Sequence, residues 1–190
     1  MEDIIFEHST VAKQLANHKL PRYNDLTKFD VFMNQLLEIL DEYLSIFTIP
    51  GEQKILTASM VNNYVFKNII EHPVQKKYSR SHIARLIVIG VLKPVLPISD
   101  IAEIINLALK QYDIEVAYEY FCIELEKALK VTFEVRDFAD IEKTQPTKTT
   151  PLSTLVRSAV LSFANQLYVR KSIYYATHDL AVQSTSAVGV

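Results

Sequence analysis

Apolar residues recur at helical spacing along most of this chain. Phe32, Leu36, Ile39, Leu40, Tyr43 and Phe47 fall on one stripe, which predicts a helix opening at Asp30 and closed by Pro50-Gly51. Thr57 is a good N-cap for a short helix over residues 58–68, with Val61, Tyr64, Val65 and Asn68 facing in. Residues 71–78 are too few and too polar for another helix and read as a turn or small hairpin. Ser79 then caps a helix to Leu92, with Ile83, Leu86, Ile87 and Gly90 inward, until Pro94 and Pro97 break the pattern. Ser99 opens the next helix, which buries Ile101, Ile104, Ile105, Ala108 and Leu109. A long helix follows from Asp113 to about Val131, then a Thr-, Lys-, Asp- and Pro-rich linker over 137–151, then a final helix over 152–175. Ahead of these, residues 1–29 carry only weak helical patterning, around Val11 to Leu20, and read as an arm or a short helix lying on the body. The expected fold is all-α with a minimal two-stranded β wing. It divides into an arm and flanking helix (1–53), a small winged unit (54–110), a helical region (111–176) and a mobile tail (177–190).

Composition narrows the function classes. With 49% apolar residues the chain can build a packed core. Only 3 glycines argue against an all-β fold, and no glycine-rich phosphate loop is present. The lone Cys122 cannot form an intramolecular disulfide, the acidic N-terminus is unlike a signal peptide, and no apolar run approaches a membrane span. These features predict a cytoplasmic protein with no membrane association. His8, His18, His72, His82 and His178 lack metal-ligand spacing and read as surface residues, so no metal or other cofactor is expected. Glu115, Glu119, Glu124 and Glu126 read as a solvated helix face rather than an acid–base pair, and no enzyme activity is expected.

Charge placement adds what the total hides. The formal net charge is −2, yet residues 54–93 carry seven basic residues against one acid, Glu71. This block sits between two acidic stretches, so one segment carries the positive field. Within it, the order helix, tight turn, short helix, basic hairpin, helix is the plan of a winged helix-turn-helix. A helix entering the major groove needs small or polar outward residues, and here these are Ser59, Asn62 and Asn63, with Lys67 placed to reach a phosphate. Asn can pair with adenine through two hydrogen bonds. Lys76 and Lys77 suit a wing along the backbone, and Arg80 can add a phosphate contact.

Two resemblances follow from these residues. Met60-Val61-Asn62-Asn63-Tyr64, Asn68-Ile69-Ile70, Lys76-Lys77-Tyr78-Ser79 and Leu96-Pro97-Ile98-Ser99-Asp100-Ile101 resemble the DNA-binding domain of the MerR family. That family has Thr-Ile-Arg-Tyr-Tyr, then a Gly-Leu-Leu turn, a basic wing and Phe-Ser-Leu-x-Glu-Ile. Asn62 stands where it has Arg, and the wing here has Pro73 and no Gly. Over most of its length the chain also resembles an uncharacterised bacterial family, domain of unknown function eighteen-thirty-six. The matching stretches are 56–65, 76–87, 92–101 and Tyr118 to Cys122. The MerR-like resemblance implies a transcription regulator that binds double-stranded DNA. The second implies a fold and no established activity.

Plainer readings stand beside these. Asn62 and Asn63 are equally readable as solvated residues, Tyr64 as core, Lys76-Lys77 as a solubilising turn, and Cys122 as a buried structural thiol. A winged helix can also serve as a protein-interaction module without binding DNA. The DNA reading further calls for a homodimer, because one short helix reads too few base pairs, and leaves any small-molecule effector unspecified.

Overall fold

A computed structural model describes Phe6, residues 9–134 and residues 149–186, with side chains as far as His178. The fold is all-α with a two-stranded sheet. In chain order the helices are α1 (Thr10–Ala16), α2 (Met33–Leu44), α3 (Ala58–Phe66), α4 (Arg80–Leu92), α5 (Ile98–Leu109), α6 (Ile114–Phe133) and α7 (Pro151–Ser186). The strands are β1 (Val31–Phe32) and β2 (Lys77–Tyr78).

Helix α4 is the axis of the molecule. From His82 to Leu92 every residue except Arg85 is buried, so this helix has almost no solvent face. It packs on α2, α5, α6, α7 and β2. Helix α2 reaches it through Leu36, Leu40 and Leu44, spaced one turn apart on a single face. The approach is close because residue 90 is glycine. A Cβ there would lie 2.6 Å from Leu44 Cδ1 and 3.3 Å from Ile55 Cγ2.

The elements differ from the sequence expectation at several ends. Val31 and Phe32 are extended, and α2 starts at Met33, with Gln35 accepting from the Phe32 N–H at 3.1 Å; Asp30 is not its cap. Phe47 lies in a short 3-10 turn (Ser45–Phe47) and is buried. The link from α2 to α3 is not tight: it spans 45–57, turns at Gly51 with φ +85°, and is held from α7. There Lys171 Nζ donates to the Thr48 carbonyl and Arg170 pairs with Glu52. Helix α5 begins at Ile98 with Pro97 at its N-cap, so Ser99 sits within the first turn. Helix α7 continues to Ser186 through positions read as a mobile tail, and 187–190 lie outside the described residues. Most of the linker expected over 137–151 also lies outside them.

Of the acidic residues of α6 only Glu115 is exposed; Glu119 and Glu126 are half-buried and Glu124 is buried, so they are not simply a solvated face. Glu119 accepts from the Tyr23 N–H at 2.7 Å, Glu126 pairs with Arg22 at 2.8 Å, and Glu115 accepts from Asn24. Glu124 is buried and holds Arg157 of α7 and Lys127, each at 2.9 Å. The carboxylates thus clamp the arm and α7 onto α6, because each meets a partner brought from far along the chain.

Replacing Gly90 with Val should force Leu44 and Ile55 aside and cost about 2–3 kcal/mol, read as a lower urea midpoint with an unchanged m-value.

Candidate nucleic-acid interface

Helix α3 is short and firmly bounded. Thr57 Oγ1 accepts from the Met60 N–H at its start. At its end Asn68 takes φ +54°, Ile69 N–H donates to the Tyr64 carbonyl at 2.9 Å, and Asn68 N–H donates to Val65 at 3.0 Å. This is a Schellman closure with Asn in the left-handed position that usually takes Gly. Val61 and Tyr64 anchor the inner face. Ser59, Asn62, Asn63 and Phe66 follow i, i+3, i+4, i+7 spacing and are all exposed, so they form one outward face. Lys93 steadies the helix from below by donating to the Ile55 carbonyl and lying against Met60 Sδ; burial lowers its pKa.

The wing is built differently from a hairpin over 71–78. Strand β2 pairs antiparallel with β1, setting Phe32 opposite Lys77 and Val31 opposite Tyr78. The strand partner therefore comes from outside residues 54–110. Val31 and Tyr78 face the core, while Phe32 and Lys77 face out, with Lys77 Nζ 5.3 Å from the Phe32 ring centroid. Residues 74–77 close a two-residue turn: Lys77 N–H donates to the Val74 carbonyl at 2.9 Å, and Gln75 and Lys76 have φ +50° and +62°. This is type I′ geometry without the Asn-Gly that suits it. Each non-glycine left-handed residue costs about 1 kcal/mol, so Lys76 is held at a strained tip.

The base of the wing is tied to α4. His82 Nδ1 accepts from the Ser79 N–H at 3.0 Å, so Nε2 carries the proton and donates to the Glu71 carbonyl at 3.2 Å. His82 is thus a buried bracket, not a surface histidine, and burial pushes its pKa below the usual 6.5. Arg85 pairs with Glu71 at 2.8 Å.

These partners reduce the positive block to a smaller free charge. Lys54 pairs with Asp41 at 2.7 Å, and Arg85 and Lys93 are engaged as described. Arg80 is also committed: it donates to Thr27 O at 3.3 Å and Asn24 Oδ1 at 3.1 Å, and sits 5.4 Å from the Tyr23 ring. It holds the arm, which weakens its candidacy as a phosphate contact. Among the described residues, Lys67, Lys76 and Lys77 form no ion pair, and Lys67 and Lys76 are exposed.

Sequence reasoning missed the apolar part of this surface. Phe29 and Phe66 are each 81% exposed, Val74 72% and Phe32 52%, and Phe32 lies against Lys77. An exposed Phe66 was detectable from the α3 stripe, since it falls on the polar face. Phe32 was not, because only pairing with Lys77 turns it outward.

Elsewhere, an apolar cavity of about 40 Å³ lies between α4, α5 and α6, lined by Val88, Ile105 and Phe121 among others. That is room for a few water-sized groups, well short of an effector pocket. Burial pushes the Cys122 thiol up to about 12, which leaves it unreactive. Among the described residues no cluster suits a metal ion, and no helix is long and apolar enough to cross a membrane.

Two outcomes follow. Because the folded-state pKa of His82 is lowered, its contribution is complete above pH 6.5 and is lost as pH falls through that lowered value. His18, lowered by burial as well, acts in the same direction. Stability should therefore decline on acidification below pH 6.5, and His82→Gln, which can still accept from Ser79, should flatten the decline without removing it. Separately, Gln75→Asn with Lys76→Gly should raise stability by about 1 kcal/mol in denaturant titrations by relieving the turn.

No curated protein and no solved structure matches the chain. A family model described as "Domain of unknown function (DUF1836)" matches residues 21–121, a span running from the arm clamped to α6, through both strands and α3, into α6 itself. That is more than half of the sequence, and the chain belongs to the DUF1836 family.

Proposed function

We propose that this protein is a cytoplasmic, non-enzymatic regulator that binds duplex DNA through a MerR-like winged helix-turn-helix. The observation that carries the reading is the outward face of α3, polar and small at Ser59, Asn62 and Asn63, with Lys67 at its C-cap and Lys76 and Lys77 in the later 74–77 turn, none of the three in an ion pair among the described residues. The order strand, helix, helix, strand, helix also supports it, as does the left-handed Asn68 where the resembling family has Gly. In this scheme α3 enters the major groove, and Asn62 and Asn63 read base edges. Lys67, Lys76 and Lys77 neutralise phosphates, while Arg80 positions the wing by holding the arm. Two copies would supply two half-sites, and useful specificity requires them. The sequence offers four cations for phosphate contacts, Lys67, Lys76, Lys77 and Arg80; with Arg80 engaged, three remain.

A second reading draws on Phe29, Phe66, Val74 and Phe32, whose exposure suits a protein-interaction module on the same fold. The two readings separate by salt. If DNA is bound, log K should fall with log salt at a slope near −3 per protomer. Lys76→Ala with Lys77→Ala should reduce that slope by about 2 and weaken all sequences alike. Asn63→Ala should instead relax preference at one base pair, at a cost of roughly 1–3 kcal/mol. Binding of any duplex that ignores salt, or no binding at low salt, would leave the protein-interaction module as the reading.

A further inference from the structure

Phe66 is the apolar member of an otherwise polar face. It lies on the outward side of α3 with Ser59, Asn62 and Asn63, and it is 81% exposed. The fold does not need a ring there. Val61 and Tyr64 anchor the helix from its inner side, and the partly buried Met60 and Val65 pack against the core. Phe66 follows Asn63 by three residues and Asn62 by four, so the three share one turn of the surface, about 4.5–6 Å along the axis. An α-helix tilts every Cα–Cβ bond toward its N-terminus, which sets Phe66 over the turn that carries the two asparagines rather than past the helix end. Lys67 follows at the C-cap, exposed and in no ion pair among the described residues.

Two amides and a cation around one large ring restrict what can meet this face. Base edges in a major groove offer donors and acceptors to the amides, and phosphates suit the lysine. To a ring the same groove offers one apolar group, the C5-methyl of thymine. Over the polar edge of another base, the ring would displace water and return no hydrogen bond, which costs free energy. A phenylalanine on this face therefore favours thymine and also disfavours its alternatives.

We infer that Phe66 is a specificity-determining residue whose ring packs on the C5-methyl of a thymine, within about two base pairs of the base met by Asn62 and Asn63. The inference rests on the duplex-binding reading above and names a base that this reading leaves open. The spacing follows from the single helical turn between the side chains and a rise of about 3.4 Å per base pair.

The test uses the full chain and the duplex motif it selects from a random pool. The motif should contain a fixed thymine close to the position that depends on Asn62 and Asn63. Replacing each thymine in turn with deoxyuridine removes the methyl and keeps every hydrogen-bonding group. At one position native binding should fall about 4-fold, the contribution of one buried methyl-sized group. Phe66→Ala should bind the thymine and uracil duplexes equally, accept other bases at that position, and keep the preference set by the asparagines. Phe66→Leu, still apolar, should retain the thymine preference. Circular dichroism and melting of Phe66→Ala should match the native chain, because the ring is exposed. A native chain that tolerates uracil at every thymine, or a uracil penalty that persists in Phe66→Ala, would overturn the role of Phe66 and leave the duplex reading intact. Phe66→Ala with an unchanged motif would overturn it in favour of a protein contact at the ring. No enriched motif for the native chain would overturn both.

Discussion

The structure depends on the burial of α4. A helix wrapped on nearly every side needs neighbours that approach closely, and Gly90 lets α2 do so. The polar residues at its two ends then hold the neighbouring segments. At the N-terminal end Arg80 ties down the arm and His82 brackets the wing. At the C-terminal end Lys93 steadies the approach to α3. The candidate interface is thus mounted on the most buried element of the molecule, while α3 itself buries fully only Val61 and Tyr64. A short helix with few buried side chains can shift without disturbing the core.

The local signals were legible. Helical periodicity placed α2 to α6 to within a few residues, Thr57 and Ser79 marked their helix starts, and Tyr64 and Cys122 were read as core and are buried. What escaped the sequence was long-range pairing. Strand β1 is two residues long and meets β2 far along the chain, so no local pattern announces it. The same holds for Glu119, Glu124 and Glu126: helix spacing makes them look solvated, and only the arrival of Tyr23, Arg157 and Arg22 gives them structural work. His82 looked exposed because a histidine at a helix start is usually so, but here its ring replaces a missing backbone partner for Ser79.

Charge shows the same gap between count and role. A run of seven cations against one anion suggests a broad positive face. In the folded chain Lys54, Arg80, Arg85 and Lys93 hold the protein together, and the remaining charge contracts to Lys67 at the end of α3 and to Lys76 and Lys77 in the 74–77 turn. Within this block the positive charge left outside any ion pair or hydrogen bond is therefore confined, among the described residues, to Lys67, Lys76 and Lys77.

The central claim is that α3 and its adjoining turn select a duplex sequence. Selection of bound fragments from a random duplex pool, with the native chain and with the Asn62→Ala, Asn63→Ala variant run in parallel, tests it most directly. The account predicts one enriched motif for the native chain and its loss in the variant; equal recovery of all sequences by both, or recovery of none, would contradict it.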